Sequence, residues 1–188
     1  MTDAIKVPIS GVIGFDPDAC TGCGTCELSC SSRFGNIINP KWSCIIVHYD
    51  PTQGEASHDV CIQCRYPSCL YACPSDAIAV DEKTGARYMD QDKCVACGSC
   101  QKACPFTPDR AMIKSREANG KKEYFKCDLC KDQNEGPMCV QFCPSKALSF
   151  VSARNRKKGY VDLEEADQNK MVSPMKHDFF KPESEQEQ

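Results

Sequence analysis

Sixteen of the seventeen cysteines in this chain fall into four groups of four. The first group, Cys20, Cys23, Cys26 and Cys30, has the spacing C-x2-C-x2-C-x3-C. The second, Cys61, Cys64, Cys69 and Cys73, widens the middle step to x4 and is followed by Pro74. The third, Cys94, Cys97, Cys100 and Cys104, repeats the first spacing and is followed by Pro105. The fourth, Cys127, Cys130, Cys139 and Cys143, widens the middle step to x8 and is followed by Pro144. Cys44 stands outside the groups. The thiols must organise the fold, because Leu, Ile, Val and Phe supply only 33 of the 188 residues. That is below the roughly one-fifth at which chains begin to fail to condense unaided.

Three kinds of thiol chemistry compete. Disulfides need an oxidising compartment, and Met1 to Pro8 contains no basic region followed by an apolar stretch that would direct export. Cysteines two residues apart also make poor structural bridges. Structural zinc joins two C-x2-C knuckles across a dozen or more residues, whereas Cys20, Cys23 and Cys26 are packed into one tight loop. The remaining reading is iron–sulfur, since C-x2-C-x2-C-x3-C-P is the bacterial run that holds [4Fe–4S] clusters. In that run a loop wraps three thiolates around a cube. The x3 step starts a helix that carries the fourth cysteine to the neighbouring cube, and the proline turns the chain out of the helix. Group one has Ser31 in place of that proline, so its turn is expected to be less constrained.

The groups sit in repeated frames. Phe15-Asp16-Pro17-Asp18-Ala19 precedes Cys20, and Met89-Asp90-Gln91-Asp92-Lys93 precedes Cys94. Pro74-Ser75-Asp76-Ala77-Ile78-Ala79-Val80 follows Cys73, and Pro144-Ser145-Lys146-Ala147-Leu148-Ser149-Phe150 follows Cys143. The alternating apolar ends of the latter two predict short strands with one buried face. Asp81 to Gly85 predicts a hairpin turn into a second strand, Ala86 to Met89. The expected fold is α+β, with short strands and cluster-bound helices in two ferredoxin-like units, one inserted into the other. Groups two and three form the inserted unit, residues 58–110. Groups one and four form the split unit, residues 10–57 with 111–151. A strand is expected at Ser43 to His48 and a turn at Asp50 to Gly54. Residues 152–188 are expected to be a polar tail with an acidic end, Glu183 to Gln188, in which Phe179-Phe180 is a candidate anchor.

Exchange of the fourth ligand within each unit predicts four [4Fe–4S] clusters. Cys61, Cys64 and Cys69 with Cys104 hold one, and Cys94, Cys97 and Cys100 with Cys73 hold its neighbour. Cys20, Cys23 and Cys26 with Cys143 hold a third, and Cys127, Cys130 and Cys139 with Cys30 hold the last. Four dianionic clusters take the formal net charge from −3 to about −11. Arg65, Lys93, Lys102, Lys126 and Lys131 flank the groups and are candidates to offset it. Cys44 lies in an apolar strand pattern and reads as a buried, inert thiol. His48, His58 and His177 are isolated and read as surface residues rather than ligands. There is no nucleophile–base pair and no dinucleotide-binding glycine loop, so no catalytic residue is assigned. No apolar run is long enough for a membrane span, and no basic excess points to nucleic acid. A cytoplasmic location is expected.

The four-group order, with its expanded fourth group, resembles the iron–sulfur subunits of molybdenum or tungsten pterin oxidoreductases across residues 10–151. Cys20-Thr21-Gly22-Cys23-Gly24-Thr25-Cys26-Glu27-Leu28-Ser29-Cys30, followed by Asn39-Pro40 and Ser43-Cys44-Ile45-Ile46-Val47, is most similar to the small subunits of aldehyde ferredoxin oxidoreductase-family tungsten enzymes. Aromatic-aldehyde oxidation and ATP-independent benzoyl-CoA reduction are among the activities of that group. The resemblance implies a subunit without substrate chemistry, relaying electrons between a pterin-bearing catalytic subunit and another redox partner. That partner would be a flavin- or NAD-linked subunit or a ferredoxin. A free-standing polyferredoxin and a zinc-stapled interaction scaffold are the competing readings.

Overall fold

A computed structural model describes residues 8–34, 38–107, 112–118 and 120–159, the last three residues through their backbone alone. Its strands are short and pair two by two, always antiparallel. β1 (Val12–Phe15) pairs with β8 (Leu148–Val151), and Phe15 faces Leu148 across the ladder. β2 (Ile45–Asp50) pairs with β3 (Glu55–Val60), β4 (Ile78–Val80) with β5 (Arg87–Met89), and β6 (Ile113–Ala118) with β7 (Lys121–Lys126). Between them run α1 (Thr25–Arg33), α2 (Ser68–Tyr71), α3 (Ser99–Ala103), α4 (Met138–Gln141) and α5 (Ala153–Gly159), with a 3-10 turn at Pro40–Trp42.

The sequence frames have matching backbones. The Asp90 amide donates to the Ala77 carbonyl at 2.7 Å beside the β4–β5 pair, and the Asp16 amide donates to the Ala147 carbonyl at 2.8 Å beside the β1–β8 pair. One ladder closes a local hairpin, while the other joins opposite ends of the described chain.

Proline sets where the helices stop. α3 ends at Ala103, and Cys104 before Pro105 is extended, as the residue before proline must be. α1 meets no proline after Cys30 and runs on to Arg33. The looser turn expected at Ser31 is therefore a further helical turn. The Ser31 hydroxyl, fully buried, donates to the Leu28 carbonyl at 2.8 Å and accepts from the Asn39 amide at 3.1 Å.

The aliphatic core is thin and mixed with sulfur. One cluster packs Ile13, Ile45, Val60, Phe125, Leu129 and Leu148 against cysteines of groups one and four and against Cys61. A second packs Ile78, Met112, Ile113 and Tyr124 against Cys100 and Cys104. Among the described residues, no helix is long and apolar enough to cross a membrane.

Four expectations need correction. β2 starts at Ile45 rather than Ser43, because the Ser43 hydroxyl closes a local turn on Ile45 and the Cys44 amide is committed elsewhere. His58 is buried rather than at the surface, its ring 4.5 Å from that of Phe15. β3 and the β6–β7 hairpin were not anticipated. The polar segment from residue 152 opens as α5, whose buried Arg156 donates to the carbonyls of Ser10 at 3.3 Å and Gln63 at 3.1 Å. His177, Phe179-Phe180 and the acidic end lie outside the described residues.

Candidate metal centres

All four metal loops are wound alike. The second residue after the first cysteine of each group has positive φ: Gly22 at 66°, Gln63 at 54°, Ala96 at 54° and Leu129 at 58°. For the three residues with side chains this left-handed conformation costs about 1–2 kcal/mol each. Such strain persists where surrounding structure fixes it, and alternating right- and left-handed backbone turns amide N–H groups into an anion-binding nest. The Pro-Ser-x frames show the same agreement, with Asp76 at 50° and Lys146 at 58°.

Two sulfur-lined cavities lie in the half of the molecule built from groups one and four. Cys20, Cys23 and Cys26 line the first together with Cys143, walled by Phe15, Val47 and Leu148. Cys127, Cys130 and Cys139 line the second together with Cys30, walled by Phe34, Ile45 and Val60. The space between the lining atoms of each is about 310 Å³, part of it open to solvent. Among the described residues no group of three or more His, Cys, Asp or Glu is arranged to hold a metal ion directly. Thiols that line one cavity without converging on a single point suit a polynuclear group better than the single tetrahedral ion of a zinc staple.

In the other half, burial and neighbouring thiolates shift the cysteines. Burial first, then the charges of Cys61, Cys69 and Cys104, pushes Cys64 up to about 12. Burial and then, after a backbone hydrogen bond that opposes it, Cys94 and Cys73 push Cys100 up. Between the groupings, Cys69 feels Cys100, Cys127 feels Cys61, and Cys139 feels Cys26. Second-group thiols thus have neighbours in the third and fourth groups, and fourth-group Cys139 has a neighbour in the first. Cys97 of the third group and Cys23 of the first are the exposed cysteines, whereas Cys127, Cys130 and Cys139 of the fourth are buried.

Donors are aimed at the sulfurs. The Ala77 amide donates to Cys73 Sγ at 3.2 Å and the Leu129 amide to Cys127 Sγ at 3.5 Å. Two thiols themselves donate to a hydroxyl two residues on, Cys23 to Thr25 at 3.4 Å and Cys97 to Ser99 at 3.4 Å. Cys44 is buried as expected, but its amide donates to Cys30 Sγ at 3.2 Å and it lines the second cavity. The hydrogen bond from the Cys44 side chain pulls Cys30 down to about 6. Burial holds Cys26 and Cys69 up at about 12, so these thiols release protons when they take metal.

The cations anticipated near the groups divide. Lys93 is exposed and 3.7 Å from Asp90, and Lys131 pairs with Asp132 at 2.7 Å. Lys126 is buried between two groupings, beside Arg87 and Gln63, which sequence reasoning passed over.

A 4Fe-4S dicluster domain model matches residues 52–153, and a 4Fe-4S binding domain model matches residues 12–37. The chain is 39% identical over 143 residues to the polyferredoxin-like subunit of the aliphatic sulfonate oxidoreductase of Pyrococcus furiosus, covering 74% of this chain and 77% of that one. It is 30% identical over 155 residues to the electron transport protein HydN of Escherichia coli, covering 75% and 87%. It is 28% identical over 176 residues to the formate dehydrogenase iron-sulfur subunit of Haemophilus influenzae, covering 81% of this chain and 54% of that one.

Proposed function

Because the chain belongs to the 4Fe-4S dicluster family, we propose that it is the electron-transfer subunit of an oxidoreductase, with four [4Fe–4S] clusters in a row. The observation that supports this reading best is the pair of cysteine-lined cavities, with the exposed Cys23 and Cys97 as points of access for electrons. When bound, the clusters supply reversible one-electron chemistry. The chain holds them, spaces them and keeps water from the middle of the row.

The ligand sets are those of the exchange rule. Cys94, Cys97, Cys100 and Cys73 take one end, followed by Cys61, Cys64, Cys69 and Cys104. Next come Cys127, Cys130, Cys139 and Cys30, and then Cys20, Cys23, Cys26 and Cys143. The lining of the two cavities and the mutual charge effects of the other eight cysteines support these sets. The matching ladders support two ferredoxin-like units, the second-and-third-group unit inserted into the first-and-fourth-group unit.

The catalytic partner is a tungsten- or molybdenum-pterin subunit, on the strength of the sequence resemblance and of relatives named as subunits of oxidoreductases. The other end of the row serves a flavin- or NAD-linked subunit or a ferredoxin, in an anaerobic cytoplasm. A free-standing carrier is the second reading, favoured by the relative named simply as an electron transport protein. Anaerobic purification through a tag on this chain, followed by size exclusion and metal analysis, separates the two. Co-elution of a larger subunit with tungsten or molybdenum supports the proposal. A lone iron-loaded chain favours the carrier.

A further inference from the structure

Lys126 and Arg87 are buried, 3% and 1% exposed, where the second and fourth groupings meet. The Lys126 ammonium donates to the Arg87 carbonyl and, at 2.8 Å, to the Cys127 carbonyl, leaving one of its three protons over. Gln63 braces the pair. Its amide nitrogen donates to the same Cys127 carbonyl at 2.7 Å, and its oxygen accepts from the Arg87 amide at 2.7 Å. The Arg87 guanidinium donates to the Gly85 carbonyl at 2.8 Å, but its Nε and second terminal nitrogen are buried without a hydrogen-bond partner. Among the described residues, no carboxylate forms a salt bridge with either cation.

Two buried cations without carboxylates are costly unless an anion answers them. The anions within reach are thiolates. Lys126 directly precedes Cys127, and Gln63, which shares the Cys127 carbonyl with it, lies in the loop between Cys61 and Cys64. Burial and then Arg156 pull Arg87 down to about 10, with Cys64, Cys61 and Cys69 acting the other way. At the first and fourth groupings a carboxylate stands beside the thiols, and the part-buried Lys114 there is answered by Glu27 as well as by Cys44 and Cys30. Cys26 has Glu27 beside it, which adds negative charge to the first grouping. Cys130 has both Arg33 and Asp128 beside it, which oppose each other.

Resting on the ligand sets above, we infer that Lys126 and Arg87 are the built-in counter-charge of the cluster on Cys61, Cys64, Cys69 and Cys104, and make it the most easily reduced of the four. Reduction adds one electron to an already dianionic group, and nearby fixed positive charge favours that step. The row then has an electron well at its second position, where one electron waits inside the protein.

The test is an EPR-monitored redox titration of the anaerobically purified full chain. In the wild-type protein the first signal to appear is expected to be the one that Cys64→Ser alters, and not one altered by Cys97→Ser or Cys23→Ser. A first signal belonging to either exposed end overturns the inference without any change at Lys126. Lys126→Gln is expected to weaken reduction of that first cluster at least tenfold, about 59 mV for a one-electron couple, and to leave the two end clusters in place. Lys126→Arg, which keeps the charge, should largely restore the potential. No shift, or an equal shift of all four clusters, overturns it. Wild-type protein that lacks the second cluster's iron defeats the ligand assignment itself, and the inference with it.

Discussion

Gly24 and Gly98 occupy the same place in two copies of one frame, each capping the helix that carries the third cysteine of its group. Their φ values nearly coincide, 71° and 76°. Replacing either by alanine puts a side chain into the left-handed region, which costs about 1–2 kcal/mol. Their surroundings differ. A Cβ at Gly24 meets nothing within 4 Å, whereas one at Gly98 lands 2.6 Å from the Tyr124 hydroxyl oxygen and 3.2 Å from its Cζ. Tyr124 is buried on β7 in the second core cluster, so the clash is an overpacking, worth about 1–3 kcal/mol more. A chain of this size loses about 2–4 °C of Tm per kcal/mol. Gly98→Ala is therefore expected to melt about 2–12 °C below Gly24→Ala by far-UV circular dichroism of the iron-loaded protein. Adding Tyr124→Phe, which removes the nearest atom, should close most of that gap. Equal losses in the two single variants, or a gap that survives Tyr124→Phe, would refute this account of the third-group loop.

Chelation of the iron should abolish the cooperative transition altogether, because the core clusters hold few aliphatic side chains beyond the cysteines; a native-like melt of the apo-protein contradicts this. Arg33 binds Asp128 from the end of α1, and Asp128 in turn accepts from the Cys130 amide at 2.9 Å. Arg33→Ala should cost about 2–4 kcal/mol, read as a lower Tm, since it strands a largely buried carboxylate. The side-chain hydroxyl of Thr84, and then its amide, hold the Asp81 carboxyl below its usual range. A lowered folded value stabilises above the unfolded value, about 3.9, and the benefit vanishes as pH falls through the folded one. The Tm difference between wild type and Thr84→Val should thus be present near neutrality and close in acid.

The 4Fe-4S family was legible because ligand chemistry is local. Spacing fixes which cysteines share a loop, and the repeated frames announced β4, β5 and β8 with their turns. The β6–β7 hairpin was missed because Ile113–Ala118 and Lys121–Lys126 are dense in charge and lack a period-two apolar pattern, although Asn119-Gly120 is a standard hairpin signal. α5 was missed because Arg154, Arg156, Lys157 and Lys158 read as solvent-facing, whereas Arg156 turns inward to carbonyls of Ser10 and Gln63. Lys126 and Arg87 were illegible as a pair, since only folding brings β5 and β7 against one another.

The central claim is that these thiols hold four iron–sulfur cubes. Iron and acid-labile sulfide, counted per chain in protein purified without oxygen, test it most directly. The account predicts about sixteen of each, whereas stoichiometric zinc with little sulfide would contradict it.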